Sequence, residues 1–282
     1  LSEPRANSLL GYPDDARLLI INADDFGMCH SNNEATLEAL TNGVVTSTTI
    51  MMPCPWSRYA IDILKAHPEI PFGVHLTLVS EFDRFRWGPL SSKNQVPTLI
   101  DESGCFFRDD QRDHLLPYAK IQEVELEFRT QIDAVLAAGL APTHLDFHCL
   151  ADGGREDIFT LTLGLAREYR LALRVHDRTH AARCHDLGLP VNDHEVLDSY
   201  SFNPSDKAAG YTELVRSLPP GLTEWAVHPS LGNAESQGFE PTTWRIRRND
   251  FDFFTAPSTK VLLEEEGVIL LNYREAQKIW AY

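Results

Sequence analysis

Cysteine is scarce: five occur in 282 residues, at positions 29, 54, 105, 149 and 184, an odd number with no CxxC pair. That argues against a disulfide scaffold and against a structural thiolate zinc site, and makes reduced thiols and a cytoplasmic setting the expectation. Long apolar runs are missing too. Stretches such as Leu18–Ile21 and Val268–Leu271 fall far short of the roughly 20 residues a helix needs to cross lipid, so no membrane partner is expected and these runs read as buried strands. No basic stretch followed by an apolar run stands near Leu1, so no targeting segment is read. Positive charge is the minority sign. Lys and Arg number 25 against 41 Asp and Glu, a formal charge of −16 at pH 7. With no Lys/Arg stripe to offset that field, nucleic acid is a poor partner, and a neutral or cationic substrate suits the surface better. No Pro/Gly/Ser-rich linker and no internal repeat divides the chain, which reads as one domain over residues 1–282.

What the chain does have is alternation. Apolar, β-branched strand candidates at 17–23, 44–52, 72–79, 143–149, 171–176, 222–228 and 267–272 are separated by helical stretches. Ser31 with Glu34 three residues on reads as a capping box opening the first of these, which stops at Asn42–Gly43. Residues 81–117 break the rhythm with Pro, Gly, Ser and charge, and are too long for a routine connection, so they read as an insertion or lid over the site. Residues 232–249 read as loop and 250–266 as helix. Sustained strand–helix alternation implies an α/β fold with a parallel sheet, closed as a (β/α) barrel-like structure or open and doubly wound.

Either architecture puts its site at the carboxyl ends of the strands. A polar residue that interrupts an apolar strand is costly to bury without a partner or a task. Asp24 and Asp25 end the first strand, His75 lies in the third, His144, Asp146 and His148 occupy the fourth, Arg174 the fifth, and His228 ends a later one. Adjacent carboxylates reach one site only if the strand unwinds, which Gly27 permits; otherwise such a pair caps the next helix. His144, Asp146 and His148 share one face at the strand period of two. At roughly 3.3 Å per residue, however, His144 lies on the order of 13 Å below His148, too deep to share an ion with it. Asp25, His75 and His148 would supply one carboxylate and two imidazoles and leave positions open for water and substrate, as a catalytic metal site requires. Asp146 would hold an imidazole in its tautomer, or cap the pocket floor. Arg174 would hold a carboxylate such as Asp24, or make a plain structural ion pair. A lone buried histidine is more often a hydrogen-bonded core residue; the joint occurrence on several strand ends weighs against that reading here.

The run LLIINADDFGMCHSNNEATLEALTNGVVTSTTIMM, followed in order by FGVHLTL, PTHLDFH, LALR and AVHP, resembles the YdjC-like carbohydrate deacetylases, which include chitooligosaccharide deacetylases. The resemblance implies a (β/α) barrel-like fold and metal-dependent removal of N-acetyl groups from amino sugars. By position it makes Asp24 the catalytic base, Asp25, His75 and His148 the metal ligands, and His228 the acid, with magnesium or zinc as the ion; two imidazoles and a carboxylate by themselves also accept manganese or cobalt. Small-molecule or oligosaccharide substrates follow, and a homodimer is admitted. The sequence departs from the family after His148, where Cys149 and Leu150 stand in place of the further histidines that commonly follow. Residues 81–117 and the aromatic-rich 239–254 region with Trp244 are expected to shape the sugar pocket. Rival readings are a sugar-binding protein that has lost catalysis; a metal-dependent phosphoesterase, for which no phosphate cradle is seen and which would want more carboxylates for two metals; and a non-haem Fe(II) oxygenase, which uses a similar ligand set but belongs on an all-β scaffold.

Overall fold

A computed structural model describes residues 5–281. The described residues form eight strands, seven on the expected runs and one, β6, where none is read: β1 (Arg17–Phe26), β2 (Ser47–Ile50), β3 (Phe72–Leu76), β4 (His144–Phe147), β5 (Ala172–Leu173), β6 (Leu197–Asp198), β7 (Gly221–Val227) and β8 (Val268–Leu271). Seven lie in the order β5-β4-β3-β2-β1-β7-β6, and β8 pairs with the first half of β1. Every pairing is parallel. The sheet curls into an incomplete barrel, with β5 and β6 as its two unjoined ends and helices on the connections, as the alternation implies. Among the described residues no helix is long and apolar enough to cross a membrane.

The strand period of two sorts β1 between two apolar clusters: Leu18 and Ile20 pack in one, Leu19, Ile21 and Ala23 in the other. Asn22 and Asp24 continue the face of Leu18 and Ile20, so the same alternation that builds the core delivers a carboxylate to the end of it. Gly73 in β3 is required by packing. A Cβ there would stand 2.5 Å from the His144 carbonyl oxygen, so a side chain would force β3 and β4 apart.

Three local expectations are corrected. The helix His30–Thr41 is capped by Cys29, whose Sγ accepts from the Asn32 amide; Ser31 lies inside the helix, buried against Ser230 and Ser236, and Glu34 accepts instead from the Tyr59 hydroxyl. The 232–249 stretch is not loop. It holds a helix at Ala234–Phe239, capped by Asn233, and the start of another at Trp244–Thr255. The helix expected over 250–266 is broken at Ala256, because Pro257 cannot donate into the preceding turn and starts a new helix, Pro257–Glu265.

Residues 81–117 carry little regular structure and are held by side chains. Trp87 is buried with its indole N–H on the Val79 carbonyl, and Glu127 of the helix Ile121–Ala137 accepts the Leu90 and Ser91 amides. Phe82 and Phe85 place their rings 5.0 and 5.1 Å from that of Phe239, which joins this segment to the helix Ala234–Phe239.

Candidate active site

Asp24 and Asp25 both face the interior because β1 distorts between them. The pairing register shifts between Ala23 and Phe26, and Asp25 itself is left-handed at φ 65°, with Gly27 following at φ 95°. A non-glycine residue in that region costs about 1–3 kcal/mol, and such strain persists where surrounding contacts over-determine it. Here those contacts are charged. Arg247, buried, donates from Nη1 to Asp25 Oδ2 at 2.6 Å. The other oxygen, Oδ1, is buried with no hydrogen-bond partner, and it lies 3.4 Å from His75 Nε2 and 3.2 Å from His148 Nδ1.

Asp24 is held differently. Arg174 grips it with two parallel bonds, Nη1 to Oδ2 at 2.7 Å and Nη2 to Oδ1 at 2.8 Å, and Asn22 donates to Oδ1 at 2.8 Å. Burial by itself would favour the neutral acid. The guanidinium outweighs it and holds the Asp24 carboxyl well below the ordinary carboxylate range, so Asp24 stays ionised. Arg174 also bonds Glu224 through Nε at 2.6 Å and lies 3.0 Å from Asp146 Oδ2, so one fully buried cation serves three carboxylates.

His75 donates from Nδ1 to Asp146 Oδ1 at 2.6 Å, and Thr49 donates to Asp146 Oδ2 at 2.9 Å. Asp146 thus fixes the ring and turns Nε2 toward Asp25. Burial opposes a charge on His75, yet Asp146, with Asp25 and Asp24 beyond it, outweighs that opposition and lifts its pKa to about 10. Nε2 is therefore a position that holds either a proton or a cation. His228, at the end of β7, places Nε2 4.0 Å from Asp24 Oδ2, while its Nδ1 meets Ser199 Oγ at 2.7 Å and its amide donates to Asp250 Oδ2 at 2.8 Å. His144 stands apart from this group. It stacks on Tyr273 at 3.6 Å, bonds Thr143, and burial pushes its pKa down to about 3, so it is a neutral core residue.

The nitrogen and oxygen atoms that Asp25, His75 and His148 can offer lie within 4.8 Å of one another, with the orphaned Oδ1 among them. Two neutral imidazoles and one carboxylate are the donor set of a three-residue divalent metal site with positions left for water and substrate, so these residues fit such an ion.

Four neighbours escape the strand-based reading. Arg247 comes from the helix Trp244–Thr255, and Glu81 from the start of the long insertion, where it meets Arg247 Nη2 at 3.3 Å. Ser199 follows β6. Glu224 lies within β7, and as a charge inside an apolar strand it carries the same signal as Arg174. Glu81, Phe82, Asp83, Arg108 and Phe239 line a cleft of about 650 Å³ that opens beside the site. Trp244, expected in the sugar pocket, lies against Gly232 with the Arg245 guanidinium 4.4 Å above its ring.

The comparisons with known proteins bear on this arrangement. A carbohydrate deacetylase of Geobacillus stearothermophilus is 32% identical over 265 residues, covering 93% of this chain and 99% of that one. One from Thermoanaerobacter pseudethanolicus is 27% identical over 258 residues, covering 91% and 98%. The solved structure of an Enterococcus faecalis protein, described as a proposed cellobiose-phosphate cleavage protein, superposes with a TM-score of 0.78 at 27% identity, covering 92% of this chain and 98% of that chain. The family profile described as YdjC-like protein matches residues 18–265. With the profile matched over most of its length, the chain belongs to the YdjC-like family.

Proposed function

We propose that this protein is a metal-dependent carbohydrate deacetylase that hydrolyses the N-acetyl group of an amino sugar or short chitooligosaccharide. One observation carries the reading: an ionised carboxylate gripped by an arginine, an imidazole 4.0 Å from it, and a three-residue ligand set all converge at the carboxyl end of the sheet. The family membership and the curated relatives' name support the reaction class. Asp25, His75 and His148 would hold the ion, zinc or magnesium first, with manganese and cobalt compatible with the same donors. Bound there, a divalent ion supplies Lewis acidity and lowers the pKa of water.

The rest is the work of side chains. Asp24 accepts the proton of the attacking water at Oδ2, the oxygen that faces His228. Arg174 keeps that carboxylate charged and fixed in angle, at the cost of basicity, so Asp24 does not retain the proton for long. His228 donates from Nε2 to the departing amine nitrogen, with Ser199 fixing the ring through Nδ1 and Asp250 holding the His228 backbone amide. Asp146 keeps His75 oriented. The cleft beside Glu81 receives the remainder of the sugar, its Phe82 and Phe239 rings offering flat apolar faces.

Replacing Asp24 with Asn tests the assignment. Acetate release should fall by about 10²–10⁴-fold, the range of a lost general base, while metal stoichiometry is unchanged. A variant that keeps the parent rate removes Asp24 from the role of base.

A further inference from the structure

The inner edge of the His148 ring faces Asp25. The outer edge faces a group with no role so far. Cys149, the departure from the family pattern, places Sγ 3.4 Å from His148 Nε2 and 3.1 Å from Glu81 Oε2, and Glu81 Oε2 is 3.6 Å from His148 Nε2. Ligand atoms around a tetrahedral zinc, at about 2.3 Å for sulfur and 2.0–2.1 Å for nitrogen and oxygen, stand roughly 3.3–3.6 Å apart. The three separations fall on or close to that range. A thiolate and a carboxylate together balance two positive charges, and the imidazole adds none. The orientation of Glu81 is set beforehand, because its other oxygen faces Arg247 Nη2 at 3.3 Å. The same residue lines the cleft, which gives an ion a path from solvent.

We propose that Cys149, Glu81 and His148 form a second cation site, selective for thiophilic divalent ions such as zinc or cadmium, that competes with the first site for His148. The inference rests on His148 being a ligand of the first site. A neutral imidazole has one lone pair, so the ring serves Nδ1 toward Asp25 or Nε2 toward Cys149, but not both. When an ion binds on the Cys149 side, the thiol proton leaves to solvent and the ring proton moves to Nδ1, 3.2 Å from Asp25 Oδ1. The first site would then hold its ion on Asp25 and His75 alone, so that both sites can be filled at once while the first is impaired. Zinc should therefore support turnover at low occupancy and inhibit in excess, whereas magnesium, with no affinity for sulfur, should not inhibit.

The test is a titration of the metal-stripped full chain with cadmium and with cobalt, following thiolate-to-metal charge-transfer absorption. The expected result is a second equivalent that carries the thiolate band, lost in Cys149→Ser while the first equivalent still binds. In Glu81→Gln the band should remain but require more cadmium, a check that does not depend on how the serine variant folds. Loss of zinc inhibition in Cys149→Ser would support the competition. A single equivalent with no thiolate band would overturn the proposal. So would a band that survives in Cys149→Ser, since it would then come from Cys29, Cys54, Cys105 or Cys184. The two readings fail separately: a thiolate band without acetate release from any substrate would leave this site and remove the deacetylase, and acetate release without a band would do the reverse.

Discussion

Arg174 shows how one side chain can hold a site together. It is fully buried and touches Asp24, Asp146 and Glu224, so removing it takes away the guanidinium that the three carboxylates share. Breaking a buried ion pair from one side costs about 3–5 kcal/mol. Arg174→Met should lose stability of that order in denaturant unfolding as well as activity; parent-like stability would mean that the carboxylates find another counter-charge. Asp146 acts through His75. Asp146→Asn should weaken metal binding by about 10–100-fold, read by competition with a chelating dye, and an unchanged affinity would deny that the carboxylate orients the ring. Residues of this kind are legible in sequence where polarity interrupts an apolar strand, as at Asp24, His75, Asp146 and Arg174. Glu224 meets that criterion equally. Arg247 and Glu81 do not, because they come from an amphipathic helix and a polar insertion, where charge is ordinary, and only the tertiary fold brings them to Asp25.

At the scale of elements, strands read better than what joins them. The apolar runs declare β1, β3, β5 and β7, whereas β6, two residues of which one is Asp198, carries too little sequence to show a period. The Ala234–Phe239 helix spans little more than one turn and has no apolar period either; its signal is the Asn233 cap. One connection carries a pH dependence of its own. Asp152, after β4, accepts the His176 and Asp177 amides and meets His180 Nδ1 at 2.8 Å, and His180 Nε2 meets Glu156 at 2.7 Å, with Arg183 also beside Glu156. Partial burial disfavours charge on His180, but Asp152 and Glu156 outweigh it and raise its pKa above 6.5. A raised histidine contributes stability that is complete below its unfolded pKa and is lost as pH rises through the folded value. Amide exchange in the helix Arg178–Asp186 should therefore speed up, beyond its intrinsic rate, as pH rises from below 6.5 through that folded value, and His180→Gln should abolish the dependence. Protection that does not change with pH would show that the clamp does not depend on the imidazolium.

For the whole molecule, the arrangement of charge matters more than its total. The interior around the site gathers Asp24, Asp25, Asp146, Glu81, Glu224 and Glu240 about Arg174, Arg247 and His75, an excess of negative charge that a divalent ion would reduce. Because the ion binds only the folded arrangement, metal at a hundredfold over its dissociation constant should add about 2.7 kcal/mol of stability, seen as a chelator-reversible rise in melting temperature; no shift with any divalent ion would argue against a preformed site. Alternation makes the parallel α/β sheet legible but leaves it closed or open; the barrel-like form is what the family resemblance adds. The chemistry needs the convergence of β1, β3, β4, β5 and β7 at one end, which alternation cannot specify. The most direct measurement is acetate release from N-acetylglucosamine and short chitooligosaccharides by metal-stripped protein, with zinc, magnesium, manganese or cobalt restored one at a time and Asp25→Ala in parallel. Acetate that appears only with metal and disappears in Asp25→Ala is the expected result. Metal bound at one equivalent with no acetate from any of these sugars would contradict it.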